Sequence, residues 1–179
     1  MTDGGQPRIG TSLEYKPHAY DPIANPELFR GVLERRFVAF LIDVMIIVVP
    51  VLFATMLITI LGLVTLGLGW ALFLLVTPAT VVWAICYYGM TFGSAASATI
   101  GMRAMDLEMR TWYGAPAYFV LGAAHAVVYW VTVSILTPLI LLLGLFNDRQ
   151  RLLHDMLVGT VVINNSVRAR NLRAMLSSR

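Results

Sequence analysis

Between Val44 and Met102 the chain has no Asp, Glu, Lys or Arg, and between Thr111 and Asn147 it again has none. Blocks like these do not make a water-facing surface, because soluble domains carry charge on about a quarter of their residues. Here the charged share is 13%, the hydrophobic share 58% and the mean hydropathy +0.75 over 179 residues. Such values exclude an ordinary soluble domain and make lipid the solvent for most of the chain. The expected fold class is an all-α polytopic membrane protein.

The first apolar run follows a long polar leader and shows no clear small-residue cleavage pattern, so it is expected to stay attached and not to act as a secretory signal peptide. Cys86 is the single cysteine and lies inside an apolar run. It cannot form an intramolecular disulfide and reads as a small packing residue.

Residues 1–26, with Gly4-Gly5, Pro7, Pro17 and Pro22 and no periodicity, read as a disordered cytoplasmic leader. Asn25-Pro26-Glu27 is expected to start a helix, with Asn as cap and Pro at the first helical position, and Leu28 to Leu33 to form an amphipathic lead-in ending at Arg35-Arg36. A membrane domain then covers 27–163, with a first span at about 37–61 that Pro50 is expected to kink. Gly62, Gly67 and Gly69 make an outer turn, and a second span at about 70–89 places Trp70 and Tyr87-Tyr88 as interfacial belts. Two short stretches, Met102 to Met109 and Val158 to Ile163, are expected to pair as a small cytosolic two-stranded sheet.

The block from Ala115 to Phe146 is too long for one upright helix and short for two full spans. Two short segments, 117–133 and 136–146, would return the arginine-rich tail 164–179 to the cytoplasmic side beside Arg103 and Arg110; a single tilted third span would put it outside. Four segments with both termini cytoplasmic is the expected arrangement, and three spans the alternative. The basic, amphipathic tail suits anionic lipids at the cytoplasmic face, and no aromatic-interleaved groove points to nucleic acid.

Charges inside apolar runs are the functional leads. Arg36 and Asp43 stand seven residues apart, about 10.5 Å along a helix and some 20° off one stripe. A carboxylate in hydrocarbon needs a partner, a wet cavity or a proton. Asp43 is therefore expected either to carry protons in transport or to be held structurally by Arg36 or by the hydroxyls of Thr55, Thr77 or Thr80. Arg36 reads as a snorkelling anchor or as a substrate contact. His125 reads as a helix-packing imidazole bonded to a carbonyl or a Thr hydroxyl, or as a proton relay with Asp43. His154 and Asp155 read as a cap or turn from the last helix into a strand, with Arg149 or Arg151 as ion partner, or as a regulatory gate at the cytoplasmic mouth.

Three motifs carry a family resemblance. The stretch from Arg36 to Asp43 resembles the first helix of the RDD family of bacterial membrane proteins, Ala98-Thr99-Ile100-Gly101-Met102-Arg103 resembles its central motif, and Arg151 to Val162 resembles its closing signature. The resemblance covers about 35–163 and assigns Arg36, Asp43, Gly101, His154, Asp155, Gly159 and Thr160 to the family signature. At the position after Gly101, where the family often has Lys, this chain has Met102, with Arg103 next. The resemblance implies a multi-pass protein of the bacterial inner membrane, loosely linked to transport.

No metal-ligand spacing links His18, His125 and His154, and there is no nucleophile elbow or phosphate loop, so neither an enzyme nor a bound cofactor or metal is expected. Two function classes remain. One is a transport component for a proton, cation or small solute, acting as a homo-oligomer or with a partner membrane protein because four short helices make a thin pore wall. The other is a non-transporting scaffold or assembly factor.

Overall fold

The computed structural model describes residues 20–136 and 149–177. Its longest element is α1, Val32–Val64, followed by a 3-10 turn at Leu68–Leu72 and by α2, Phe73–Phe92. Then come α3 (Ile100–Ala104), β1 (Leu107–Thr111), α4 (Phe119–Leu136), α5 (Leu153–Val158), β2 (Thr160–Asn164) and α6 (Ser166–Ser177). Most of the leader and the expected segment 136–146 lie outside the described residues, apart from residue 136 at the end of α4.

The 33 residues of α1 extend about 50 Å, more than a hydrocarbon core of about 30 Å requires. The helix runs through Pro50, as α2 runs through Pro78, without interruption. Both are apolar on nearly every side. Met45, Leu52 and Phe53 on α1 and Leu74, Leu75 and Val82 on α2 are exposed, which suits lipid. These two helices are long and apolar enough to cross a membrane, and Phe119–Ile135 is a shorter apolar helix.

Several boundaries differ from expectation. The helix start at Asn25 is only a 3-10 turn, Pro26–Leu28, and the Asn25 side chain makes no capping bond. Gly31, at φ +68°, breaks the chain there, so the lead-in does not run continuously into α1. The second long helix begins at Phe73 and not at Trp70, which sits in the 3-10 turn.

Helix α4 packs on α2 at small residues. A Cβ on Gly122 would lie 2.6 Å from the Phe92 Cβ, so only glycine permits this approach. At one end of the bundle β1 and β2 pair antiparallel, Leu107 opposite Asn164 and Met109 opposite Val162. The strands are shorter and later than the stretches singled out in the sequence: 100–104 is helical, and Val158 and Gly159 finish α5.

A lone strand pair is marginal, and here both faces of β2 are covered. Val162 joins the core with Val32, Ala39, Tyr88, Phe92 and Met109, whereas Val161 and Ile163 pack on Phe29. The Asn164 amide donates to the carbonyls of Glu27 and Arg30, at 2.9 and 3.0 Å. From α6, Arg173 donates to the buried Glu27 carboxylate. The polar ends of the chain thus share one platform with the sheet.

Candidate functional site

Asp43 lies on the inner face of α1 and is 4% exposed. Three donors converge on it. The Tyr87 hydroxyl of α2 donates to Oδ1 at 2.5 Å, the Gly101 amide donates to Oδ1 at 2.8 Å, and the Thr99 hydroxyl donates to Oδ2 at 2.6 Å. Local sequence explains the last two. Thr99 caps α3, accepting from the Met102 amide at 3.1 Å, so its hydroxyl is fixed between helix and carboxylate. A Cβ on Gly101 would fall 2.1 Å from the Ala39 carbonyl oxygen, and only glycine lets α3 lie this close to α1.

This overturns the expected partners of Asp43. No bond to Arg36 is made, and the Thr55 and Thr80 hydroxyls instead donate to the carbonyls of Leu52 and Val76 in their own helices. Tyr87, read as an interfacial ring, is buried and binds the carboxylate.

The guanidinium of Arg36 turns to Asp155, which is 0% exposed. Nη1 donates to Oδ2 at 2.5 Å and Nη2 to Oδ1 at 3.0 Å, a bidentate pair in which the Arg36 side chain is 11% exposed. A second chemistry is superposed on it. Asp155 stands in the first turn of α5, and Oδ2 accepts from the Leu152 amide at 2.9 Å, closing the helix start. Arg151, one of the two arginines expected as ion partner, serves the backbone: it donates to the carbonyls of Asp155 and Thr160, at 2.8 and 2.9 Å, and lies over the Trp112 ring. Arg36 does not snorkel, because a geometrically matched carboxylate is within reach.

Around the pair stand two imidazoles. His125 Nε2 is 3.7 Å and His154 Nε2 3.6 Å from Asp155 Oδ1, with the two rings edge to face at 4.9 Å. His125 Nδ1 is 3.3 Å from the Thr160 hydroxyl, and its ring also packs on Phe92. The relay partner expected for His125, Asp43, belongs to the other group of side chains. Histidines isolated in sequence are thus neighbours in space, while His18 lies outside the described residues.

Burial drives the Asp155 carboxyl upward in pKa, but the Arg36 charge, the imidazoles and the Arg36 bond override it and hold it well below the carboxylate range. For His154 burial dominates and Asp155 offsets it only in part, leaving the imidazole at about 3. At neutral pH the group is therefore Arg36 cation, Asp155 anion and neutral His154.

His125, His154 and Asp155 offer ligand atoms within 4.8 Å of one another, a spacing a metal ion can bridge. Their common space meets a cation already. Arg36 Nη2 is 3.0 Å from Asp155 Oδ1 and 3.4 Å from His154 Nε2, so a metal ion there would displace the guanidinium.

A cavity of about 650 Å³ joins the two groups. Arg36, Asp43, His125 and His154 line it, with Phe40, Tyr88 and Tyr129 among the rings that make it mainly apolar. Met102 reaches the same space, while Arg103 folds back to donate to the Ala98 carbonyl and the Ser94 hydroxyl. The cation after Gly101 therefore serves its own loop. Sequence reasoning missed Tyr87 and Thr99; the capping position of Thr99 before Gly101 was a usable signal, whereas Tyr87 gave none.

The remaining signature residues fall beside these groups. Gly159, at φ +72°, ends α5 and accepts the Trp112 amide at 2.8 Å, and Thr160 starts β2 under His125. The model of the RDD family matches residues 30–159, more than half of the chain. No curated protein and no solved structure matches it.

Proposed function

We propose that this chain, which belongs to the RDD family, is a transport component of the bacterial inner membrane that moves a proton, cation or small solute through an oligomer. One observation carries the reading: Arg36, Asp43 and His125, selected in the sequence only as charges or imidazoles in apolar surroundings, line a single cavity. In this reading the chain has four membrane segments, both termini are cytoplasmic, and the arginines of α6 face anionic lipid. Cavity and polar groups serve binding and passage and not catalysis.

A scaffold role is the second reading, and it has support of its own. Both carboxylates are saturated by fixed partners that tie α1 to α2, α3 and α5, as expected of structural fasteners. Flux separates the two readings. Purified protein in proteoliposomes, given a pH gradient and a panel of monovalent cations, should show flux that Asp43→Asn or a bulky residue at Ala126 lowers. No flux for any ion in correctly folded wild type would defeat proton and cation transport and favour the scaffold.

A further inference from the structure

Two imidazoles converge on one carboxylate oxygen. His125 Nε2 is 3.7 Å and His154 Nε2 3.6 Å from Asp155 Oδ1, and all three ligand atoms lie within 4.8 Å of one another. Bonds of about 2.0 to 2.1 Å at tetrahedral angles set neighbouring ligand atoms about 3.4 Å apart around a zinc-type ion. The two edges that meet at Oδ1 are thus close to the required length.

Each ligand is also oriented from behind. His125 Nδ1 lies 3.3 Å from the Thr160 hydroxyl, and with the proton on Nδ1 that hydroxyl accepts it and Nε2 presents a bare lone pair, the usual state of a metal-bound imidazole. The His125 side chain is 9% exposed, and among the described residues its Nε2 makes no hydrogen bond, Oδ1 being out of reach. His154 Nε2 faces the Arg36 Nη2 donor at 3.4 Å, so its lone pair also points into the group. Asp155 is fixed through Oδ2, which accepts from the Leu152 amide and from Arg36.

An ion pair between Arg36 and Asp155 needs neither imidazole. Two ring nitrogens beside a carboxylate oxygen are the donor set that divalent first-row transition metals take in preference to Mg²⁺. The guanidinium has somewhere else to go: Nη1 is already 3.5 Å from the Gln150 carbonyl, and Arg36 borders the cavity of about 650 Å³. His125 and His154 border it too, which provides an entry path and room for a fourth ligand.

We propose that His125, His154 and Asp155 form a binding site for a divalent first-row transition-metal ion of the zinc type, which Arg36 fills as a built-in competing cation and yields when the metal binds. The site shares side chains with the cavity of the transport reading, but it stands whether or not an ion is carried through. Metal binding then releases α1 from α5, because the Arg36 and Asp155 pair joins them.

The test uses full-length protein without an affinity tag, in detergent, with CoCl₂ and ZnCl₂ as probes and MgCl₂ as the control. Co²⁺ should give saturable visible bands of a nitrogen-ligated ion, which Zn²⁺ abolishes and excess Mg²⁺ does not. His125→Phe and His154→Phe should each weaken binding about tenfold or more, while His18→Ala leaves it unchanged. Arg36→Gln removes the competitor and should tighten binding about tenfold or more. Zn²⁺ should also raise the melting temperature of Arg36→Gln by more than that of wild type, since the metal answers the stranded Asp155 charge. Absence of saturable Co²⁺ binding, undiminished binding in both Phe variants, loss of binding in His18→Ala, or an Arg36→Gln protein that binds no more tightly than wild type would overturn the proposal. Should Arg36→Gln not fold by itself, recovery of a cooperative melt on adding Zn²⁺ would uphold it and no recovery would overturn it. Flux without metal binding would overturn it and spare transport, whereas metal binding without flux would uphold it and count against transport.

Discussion

Arg36 and Asp155, 119 positions apart in the chain, form a bidentate ion pair with contacts of 2.5 and 3.0 Å. The pair joins the start of the longest helix to the short helix that leads into β2. Removing one partner strands a buried charge, which costs about 3 to 5 kcal/mol, while removing both leaves a polar but uncharged contact. Arg36→Gln and Asp155→Asn should each lower thermal stability strongly, and the double variant should recover a large part of the loss. Arg36→Gln with Asp43→Asn should instead be additive within about 0.5 kcal/mol, since these two share no bond. Strong coupling in the second cycle and none in the first would reject the assignment.

The Asp43 group gives a prediction free of charge stranding. Tyr87→Phe removes one donor to a buried carboxylate and should cost about 1.5 to 3 kcal/mol. Gly101→Ala drives a methyl against the Ala39 carbonyl, and overpacking of this kind costs about 1 to 3 kcal/mol. Melting curves in detergent check both, and a wild-type melt for Gly101→Ala would show that α3 does not lie on α1 as described.

Acid should destabilise the protein in two stages. The folded pKa of His154 is depressed to about 3 from an unfolded value of about 6.5. Its stabilising contribution is therefore full above pH 6.5 and is lost progressively as pH falls toward 3. Asp155, also depressed, loses its contribution only from about pH 4 downward, below its unfolded pKa. Thermal melts from pH 8 to 4 should decline for wild type, with a shallower decline for His154→Phe across that window.

Topology is testable by accessibility. In a Cys86→Ala background, cysteines at the exposed positions Tyr113 and Met175 should resist a membrane-impermeant thiol reagent in intact cells, and one at exposed Leu68 should react. Labelling at Met175 would favour three crossings over four.

What the sequence reveals and what it hides divide along a physical line. Apolar length and the rarity of charge in it mark α1, α2 and the residues Arg36, Asp43 and His125, because hydrocarbon penalises each exception by itself. Partners are another matter. Arg36 and Asp43 share a helix stripe, yet a guanidinium prefers the two parallel acceptors of Asp155, and nothing local signals a contact across so long a stretch of chain. Tyr87 misled for a similar reason, since a tyrosine near a helix end looks the same whether its hydroxyl meets headgroups or a buried carboxylate. Asp155 hid behind its second task of closing α5, which sufficed to explain it from sequence.

Asp43 and Arg36 are fastened to different neighbours at points about 10.5 Å apart along one rigid rod. A rod held at two heights by bonds of defined direction can neither slide by a turn nor spin without releasing both attachments together. Any shift of α1 that opened the cavity would then be a concerted event, closer to a latch springing than to a hinge easing. Intermediate positions would leave a buried carboxylate without its donors, so the helix has a reason to occupy discrete stations.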